Sequence, residues 1–231
     1  MAKVVLVTGG NTGIGAAIVQ AFSEKGYSVI IHYYELQSEA EKMVCSSKGK
    51  CVMVEGDITK KATLQALLGM VKKMGGLDVL VNNAGINIQK DIFKAEDKDW
   101  IDTFNVNVIA PFNLIQMLAP YLKKSKGSVV NICSVRAQTP REGNIAYGAS
   151  KAALVNFTKA AAKSLAPDVR VNCVSPGPTL TRMQKGKPMA EGETILGRRG
   201  KPEEIAQMVV AVAENAFMTG SNVIIDGGAL L

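Results

Sequence analysis

Short apolar runs alternate with longer amphipathic segments along almost the whole chain. Seven runs are nearly continuously apolar, as expected for strands that are buried on both faces of a parallel sheet. They lie at 4–7, 28–32, 51–54, 77–81, 128–132, 169–174 and 222–225. Helical spacing is found between them, at 13–25, 38–46, 60–74, 97–123, 145–165 and 202–214. This alternation predicts an α/β fold with a doubly wound, seven-stranded parallel sheet and helices on both faces.

Two places depart from the regular alternation. Pro111 lies inside the fourth helical segment, where its missing N–H and its ring should interrupt or kink the helix. The stretch 178–200 contains several Gly and Pro residues and is too long for an ordinary connection, which predicts a substrate loop over a site. Because no repeat or low-complexity linker divides the chain, we expect one domain over 1–231.

The composition supports one large domain and a solvated surface. The chain has 231 residues, of which 47% are hydrophobic, and this is enough apolar material for a full core. Its net charge of +7 comes from scattered Lys and Arg residues. Scattered charge is typical of an ordinary solvated surface and argues against a nucleic-acid-binding protein, although an anionic cofactor or substrate could use part of it.

Cysteines, the single histidine and the hydropathy pattern argue against several other classes of protein. The four cysteines form no CxxC pair, and Cys133 and Cys173 lie in apolar runs, so we expect reduced thiols in a cytoplasmic protein. His32 is the only histidine, which excludes a histidine-rich metal site, and we expect no bound metal. No apolar run has the length of a membrane span, and the first strand begins too early to leave room for a signal peptide.

A glycine-rich turn follows the first predicted strand. Its sequence, Thr8-Gly-Gly-Asn-Thr-Gly-Ile-Gly15, leads directly into a helix. Glycines let the backbone turn tightly and approach a pyrophosphate, while the helix N-terminus offers unpaired N–H groups and a positive dipole end. The spacing is not the usual GxGxxG, and a plain strand-to-helix turn is the alternative interpretation. Its position after the first strand of an α/β chain favours a dinucleotide-binding turn.

The end of the second strand bears on the choice between NAD and NADP. An acidic residue there would hold the ribose 2′-hydroxyl of NAD and repel a 2′-phosphate. This strand ends in His32-Tyr33-Tyr34, and the nearest acid, Glu35, lies slightly further on. No Arg or Lys occupies positions 11–12 or 33–38, so no obvious phosphate clamp is visible. The missing acid favours NADP(H), with NAD(H) as the alternative.

A Tyr–Lys pair stands at helical spacing after the fifth predicted strand. Tyr147 and Lys151 are four residues apart and therefore share one helix face. A tyrosine hydroxyl ordinarily titrates near pH 10, and an ammonium about 4 Å away at an effective dielectric of about 20 favours the phenolate by about 4 kcal/mol. Such a tyrosine could act as general acid or base near neutrality. For an isolated YxxxK, a surface helix pair is the ordinary interpretation.

The order of the motifs along the chain makes this pair more specific. The glycine turn is followed by Asn82-Asn-Ala-Gly85, then Ser134, then the Tyr–Lys pair, then Pro176-Gly177. Together these motifs resemble the short-chain dehydrogenase/reductase family over nearly the whole chain. The resemblance implies a Rossmann fold and an NAD(P)(H)-dependent oxidoreductase. Such an enzyme transfers hydride reversibly between its cofactor and a carbonyl compound or secondary alcohol.

The resemblance also assigns roles to individual residues. Tyr147 would be the catalytic acid/base, Lys151 would bind the nicotinamide ribose, and Ser134 would bind the substrate oxygen. Asn107 would hold a water in a proton relay, a choice over Asn105 that depends on the register of the residues after it. The implied cofactor contacts are Gly9, Asn11, Thr12, Gly13, Ile14, Gly15, Tyr33, Asp57, Ile58, Asn83, Ala84, Gly85, Tyr147, Lys151, Pro176, Gly177, Thr179 and Thr181.

The substrate is less closely defined than the chemistry. Similarity is strongest to the 3-oxoacyl-[acyl-carrier-protein] reductase type, and His32-Tyr33 gives a local similarity to pteridine reductases; reductases of sugars or other small ketones are further alternatives. Arg136 and Arg141 lie between the Ser and the Tyr of the site, where either could reach an anionic substrate or be an ordinary loop charge. A non-catalytic cofactor-binding sensor or scaffold is the competing class. Family members commonly form tetramers, so we expect a homotetramer or homodimer.

Overall fold

A seven-stranded parallel sheet runs through the computed structural model, which describes residues 2–46, 50–181, 190 and 192–231. The strand order is β3-β2-β1-β4-β5-β6-β7. The strands are β1 (Val4–Thr8), β2 (Ser28–Tyr33), β3 (Cys51–Glu55), β4 (Val79–Asn82), β5 (Ser128–Ile132), β6 (Arg170–Pro176) and β7 (Asn222–Ile225). All neighbouring strands pair in parallel, which confirms the predicted single-domain, doubly wound α/β fold.

Helices connect the strands in the expected alternation. They are α1 (Gly13–Glu24), α2 (Gln37–Ser46), α3 (Lys61–Lys73), α4 (Asp97–Phe104), α5 (Ala110–Ser125), α6 (Ile145–Leu165) and α7 (Pro202–Glu214). Apart from the fourth predicted segment, their bounds agree with the sequence prediction to within one residue at each end. Among the described residues, no helix combines the length and the apolar character needed to cross a membrane.

Both faces of the sheet are buried, which is why its strands are continuously apolar. In β1, Val4 and Leu6 face one core cluster, while Val5 and Val7 face the other. Side chains of α3, α5 and α6 complete the first cluster: Leu67, Val71, Leu114, Leu118, Leu122, Ala161 and Ala162. Side chains of α1 and α7 complete the second: Ile18, Val19, Phe22, Ile205, Val209 and Val210. Each buried Val, Leu, Ile or Phe contributes roughly 1.5–3 kcal/mol, so the sheet is a firm support for the loops at its edges.

The fourth predicted helix, 97–123, is divided in the structure. Between α4 and α5, residues Asn105–Ile109 form a π-helical turn. The N–H of Ala110 donates to the carbonyl of Asn105, one residue further back than in an α-helix. Pro111 follows directly and has no N–H to continue the regular ladder, so the predicted interruption lies on its N-terminal side. Asn107, in the middle of this wider turn, is completely buried.

The connection between β6 and α7 contains the predicted substrate loop, 178–200. Its two ends are joined, because the N–H of Leu180 donates to the carbonyl of Gly200 and the N–H of Gly200 donates to the carbonyl of Pro178, each at 2.9 Å. Positions 182–189 and 191 of the loop lie outside the described residues. The loop therefore begins and ends at one point beside the carboxyl end of β6.

The cysteines and acidic residues of the described chain bear on redox and metal chemistry. Cys133 and Cys173 are buried free thiols, and Cys51 is partly buried. The side chain of Cys45 lies outside the described part. Within that part, no group of three or more His, Cys, Asp or Glu residues is placed to hold a metal ion.

Candidate active site

A cleft of about 550 Å³ opens at the carboxyl edge of the sheet, where the strand order reverses between β1 and β4. Parallel α/β sheets place ligand sites at such switch points. Loops after β1, β4, β5 and β6 and the first turns of α6 surround it. The predicted site residues that line it are Gly9, Asn11, Thr12, Gly13, Ile14, Gly15, Asn83, Ala84, Gly85, Ser134, Tyr147, Lys151, Pro176, Gly177, Thr179 and Thr181.

The glycine turn brings the start of α1 against the end of β1. Gly9 and Gly13 have φ angles of 60° and 54°, a left-handed conformation that favours glycine. A Cβ on Gly15 would lie 2.0 Å from the carbonyl oxygen of Gly9, so no side chain fits there. Thr12, which precedes the helix, makes no side-chain capping bond to the described chain. The first N–H groups of α1 therefore remain available for an anion, as the pyrophosphate of a dinucleotide requires.

The Asn-Ala segment after β4 is tied to the end of β1. The hydroxyl of Thr8 accepts hydrogen bonds from the N–H groups of Asn83 and Ala84, each at 3.0 Å. The side-chain amide of Asn83 donates to the carbonyls of Thr8 and Gly9, each at 2.9 Å. These hydrogen bonds join the loop after β1 to the loop after β4, and both loops border the cleft.

Tyr147 and Lys151 lie in the first turns of α6 and share one face, as their spacing predicts. The Nζ of Lys151 is 5.6 Å from the ring centroid of Tyr147. It is buried and donates to the carbonyl of Ile132, the last residue of β5, at 2.8 Å. Ser134 follows two residues later, and its hydroxyl accepts a hydrogen bond from the N–H of Arg136 at 3.1 Å. The end of β5 thus anchors the ammonium and presents the serine at the same cleft.

Asn107 lies behind the wall of the cleft and is not one of its lining residues. Its side-chain oxygen accepts from the N–H of Ile86 at 2.9 Å, and its amide donates to the carbonyl of Ile86 at 3.0 Å and the hydroxyl of Ser150 at 2.9 Å. A Cβ on Gly85 would lie 3.2 Å from that oxygen, and Gly85 lines the cleft, so Asn107 lies directly beside a cleft residue. Asn105, the alternative candidate, lines a different cavity.

That second cavity, of about 670 Å³, continues from the cleft towards the carboxyl ends of β2 and β3. Asp57 and Ile58 line it, as the resemblance implies. The Asp57 carboxylate accepts from the N–H and the hydroxyl of Thr59 at 2.9 and 2.8 Å. Burial raises the pKa of Asp57, but these hydrogen bonds and the charge of Lys60 outweigh it, so the net pKa lies below its ordinary value. An ionised acceptor therefore faces the end of the cavity that an adenosine would occupy.

Tyr33 is placed differently from the other predicted cofactor contacts. It lines neither cavity, and its buried ring directs the hydroxyl to the Glu55 carboxylate at 3.4 Å. Its neighbours His32 and Tyr34 line the second cavity instead. Successive side chains of a strand point to opposite faces of the sheet. His32 and Tyr34 therefore point to one face and Tyr33 to the other.

His32 is a residue whose position the sequence did not reveal. The N–H of Gly9 donates to its Nδ1 at 3.3 Å, so Nε2 carries the proton and donates to the carbonyl of Gly56 at 2.9 Å. The neutral ring therefore links the glycine turn to the end of β3. Burial lowers the pKa of His32, while the Gly56 carbonyl and Asp57 oppose that shift in part. A polar residue at the end of an apolar strand was the signal that could have indicated this link.

We expect the protein to lose stability as the pH falls below about 6.5, the ordinary pKa of histidine. His32 has a lowered pKa in the folded state, so the unfolded chain binds the proton first, and the slope reaches at most about 1.4 kcal/mol per pH unit for one proton. Urea unfolding at several pH values between 5.5 and 7.5 measures how the free energy of unfolding depends on pH. Since the chain has one histidine, His32→Gln should flatten this slope, and an unchanged slope in the variant would contradict the assignment.

The remaining part of the cleft has polar walls that sequence motifs did not mark. Asn87, Gln89 and Asn144 line it together with Arg136 and Arg141. The side-chain oxygen of Asn87 is buried and has no hydrogen-bond partner within the described residues. Buried polar atoms normally have a partner, so this oxygen is an unsatisfied acceptor in the wall of the cleft.

Comparison with known proteins places the chain in a family. A model of the short chain dehydrogenase family matches residues 3–192. The chain is 37% identical to a 3-oxoacyl-[acyl-carrier-protein] reductase of Thermotoga maritima, over 99% of this chain and 98% of that protein. It is 31% identical to a meso-2,3-butanediol dehydrogenase of Serratia marcescens, over 98% and 94%.

A solved structure agrees with the fold. The L-sorbose reductase of Gluconobacter frateurii, complexed with NADPH and L-sorbose, superposes with a TM-score of 0.92 and 28% identity, over 99% of this chain and 97% of that one. The family match covers most of the chain, and the Thermotoga maritima relative aligns with it over nearly its whole length. This protein is a member of the short-chain dehydrogenase/reductase family of oxidoreductases.

Proposed function

We propose that this protein transfers hydride reversibly between NADP(H) and a carbonyl compound or secondary alcohol, with Tyr147 as the acid/base. The observation that carries the proposal is the convergence of Ser134, Tyr147 and the buried Lys151 ammonium on one cleft. When bound, the nicotinamide cofactor supplies or accepts the hydride. The chain itself would orient the carbonyl and move the proton.

Each residue of the site has a distinct task in this mechanism. The hydroxyl of Tyr147 donates its proton to the carbonyl oxygen during reduction, and the nearby positive charge of Lys151 stabilises the phenolate left behind. Ser134 holds the same oxygen by a hydrogen bond and thereby selects the reacting geometry. Asn107 ties the loop after β4 to α6 and is the proposed holder of the water that returns a proton to the site.

The residues that line the two cavities support an NAD(P)(H) cofactor. The glycine turn, from Gly9 to Gly15, would hold the pyrophosphate on the N–H groups of α1. Asp57 and Ile58 would meet the adenine, and Asn83 and Ala84 the adenosine ribose. The carboxamide end would meet the backbone after β6. The residues proposed there and beside the nicotinamide are Gly85, Pro176, Gly177, Thr179 and Thr181.

We place NADP(H) before NAD(H) because of the charges at the adenosine end. Lys60 lines that cavity and forms no ion pair with a carboxylate in the described chain, so it can meet a 2′-phosphate. Lys98 lines it too, but is paired with Asp102. Glu35 also borders the cavity and acts against a phosphate, which makes the preference moderate in size.

The substrate proposal follows two different observations. The full-length similarity to a 3-oxoacyl-[acyl-carrier-protein] reductase favours a 3-oxoacyl compound carried on a thiol. The polar walls formed by Asn87 and Asn144 favour a second candidate, a small polar ketone such as a sugar, and the L-sorbose reductase superposes over the whole chain. A pterin is the third candidate, supported by the local similarity of His32-Tyr33 to pteridine reductases.

The organisation of the protein completes the proposal. We infer one catalytic domain over 1–231 in a cytoplasmic protein, with 178–200 as the loop that covers the substrate. Exposed apolar side chains follow one another along α4, the π-helical turn and α5, at Ile101, Ile109 and Phe112. Apolar area of this kind is typical of a subunit contact and supports a homodimer or homotetramer.

A carbonyl panel with both reduced cofactors tests the function. With acetoacetyl-coenzyme A, a ketose, acetoin and a pterin, we expect oxidation of the cofactor by at least one substrate, with kcat/KM about tenfold higher for NADPH than for NADH. Lys60→Ala should reduce that preference, whereas Lys61→Ala, outside the cavity, should retain it. Tight cofactor binding without turnover would favour the sensor or scaffold, and tenfold tighter binding of NADH would overturn the NADP(H) preference.

A further inference from the structure

Arg136 is fixed at the substrate end of the cleft by the packing of its backbone. It lies in the 3₁₀ turn Val135–Ala137, and its N–H donates to the hydroxyl of Ser134 at 3.1 Å. Gly148 lies against this turn, because a Cβ built on it would be only 3.2 Å from the carbonyl oxygen of Arg136. Gly148 directly follows Tyr147 in the chain. The backbone of Arg136 therefore lies beside both Ser134 and Tyr147, the two residues that would bind the substrate oxygen.

Arg141 lines the same cleft from a second, tethered loop. Its carbonyl accepts from the N–H of Asn144 at 3.1 Å, which closes a tight turn. A second hydrogen bond joins this turn to another segment of the chain, because the N–H of Lys90 donates to the carbonyl of Gly143 at 3.0 Å. The turn is therefore attached to the segment that follows β4, and Arg141 is held at the cleft instead of on a free surface loop.

Neither arginine has a carboxylate partner within ion-pair distance among the residues that the structure describes. Two other arginines nearby do have one, since Arg198 pairs with Glu204 at 2.7 Å and Arg199 pairs with Glu193 at 2.9 Å. Glu193 lines the cleft, but it is buried against Arg199 and so is already engaged. Glu142 also lines the cleft, but among the described residues it forms no ion pair with either arginine. Two cationic side chains thus border the substrate end of the cleft without a carboxylate at ion-pair distance in the described chain.

The electrostatics of Arg136 are consistent with a missing anion. Burial lowers the pKa of its guanidinium, the positive charge of Arg141 lowers it further, and Glu193 and Tyr147 oppose the shift. Partial burial of a charge is unfavourable unless an opposite charge compensates it. A bound anion would relieve both unfavourable interactions at once, and a guanidinium binds a carboxylate or phosphate through two parallel hydrogen bonds.

We propose that Arg136 and Arg141 form an anion subsite that binds a negatively charged group of the carbonyl substrate. The inference rests on the proposed hydride transfer, because that function places the substrate carbonyl at Tyr147. The anion would be a carboxylate of a small oxo acid or the phosphate of a carrier arm, which share the same recognition chemistry. The cofactor pyrophosphate would bind at the glycine turn after β1, on a different part of the same cleft wall. Arg136 and Arg141 border the cleft from the segment between β5 and α6, and neither lines the cavity at the adenosine end.

Matched pairs of charged and uncharged ligands test the subsite. Pyruvate, acetoacetate and levulinate, each against its methyl ester, vary the distance between carbonyl and carboxylate. S-acetoacetyl-pantetheine against its 4′-phosphate tests the second source. Calorimetry on enzyme saturated with NADP⁺ gives affinities, and NADPH oxidation gives kcat/KM. For the wild type we expect at least one charged ligand to bind about tenfold more tightly than its uncharged partner.

Variants connect that preference to the arginines. In Arg136→Gln, the preference for the charged ligand over its uncharged partner should fall to less than about threefold. Arg141→Gln should also reduce this preference. Arg136→Lys, which retains the positive charge, should retain part of it. Arg198→Gln, paired outside the cleft, is the matched control and should keep the preference. Equal affinities for every pair in the wild type would overturn the subsite, as would an Arg136→Gln variant that weakens charged and uncharged ligands, or NADPH, equally.

The same measurements separate this inference from the proposed function. Binding does not require turnover, so a charge preference without NADPH oxidation by any ligand would support the subsite and contradict the hydride transfer. Turnover of the uncharged esters, with no preference for the acids or the phosphate, would contradict the subsite alone. Melting temperatures of the arginine variants within a few degrees of the wild type show that the loss comes from the cleft and not from unfolding.

Discussion

Tyr147→Phe should lower kcat by about 10²–10⁴-fold, the range that a positioned acid/base contributes. The substitution removes one hydroxyl and keeps the ring, so the contact with the buried Lys151 ammonium and the packing of α6 remain. The dissociation constant for NADPH should therefore stay within about threefold of the wild type. Nicotinamide fluorescence measures this constant, and single-turnover oxidation of NADPH measures the chemical step.

A matched variant controls for the loss of a tyrosine hydroxyl in general. Tyr121→Phe removes the same atom from α5, where Tyr121 packs against the first core cluster and does not line the cleft. It should retain kcat and NADPH binding. Turnover that is unchanged in Tyr147→Phe would exclude Tyr147 as the acid/base. A loss of NADPH binding equal to the loss of kcat would show that the hydroxyl of Tyr147 is needed for cofactor binding and not for proton transfer.

Gly15→Ala should strongly weaken cofactor binding and also destabilise the fold. The added methyl would lie 2.0 Å from the carbonyl oxygen of Gly9 and 2.6 Å from the amide of Asn83, so α1 must move away from the end of β1. Overpacking of this kind costs about 1–3 kcal/mol. The displaced N–H groups no longer converge on an anion, and we expect at least about a tenfold weaker affinity for NADPH, which corresponds to about 1.4 kcal/mol.

Urea unfolding and NADPH titration measure the two effects separately. Gly69→Ala is the control, because Gly69 lies inside α3 with no atom near its added Cβ. Alanine is the better helix former, so this variant should be more stable by up to about 1 kcal/mol and should bind NADPH like the wild type. A Gly15→Ala protein with unaltered stability and affinity would show that the turn is an ordinary connection and not the pyrophosphate site.

The sheet could be predicted from the sequence because its cause is local. Strands that alternate between two buried faces must be apolar at nearly every position, as in β1, and that pattern is visible without any long-range contact. The helices α6 and α7 could also be predicted from local sequence, and their observed bounds are those predicted. The helix around Pro111 was only partly predicted, because the missing N–H indicates an interruption but does not say that a π-helical turn will form before it.

The site was predicted less completely than the sheet. Tyr147 and Lys151 share a face because of their spacing, and the glycine turn precedes α1 as expected. Tyr33, predicted as a cofactor contact, lines neither cavity, whereas His32 and Tyr34 line the second one. A resemblance between motifs identifies a stretch of strand, but the face of each residue depends on how that strand is twisted and paired.

By itself, the sequence determined the parallel α/β sheet, the glycine turn and the spacing of the Tyr–Lys pair, because each depends on residues close together in the chain. The tertiary structure decided which distant side chains meet at the edge of that sheet. It buried His32 between Gly9 and Gly56, and it set Arg136 and Arg141 at one cleft without a carboxylate partner among the described residues. Contacts between residues so far apart in the sequence depend on loops from separate strands that converge at one switch point of the sheet. No local sequence pattern specifies that convergence.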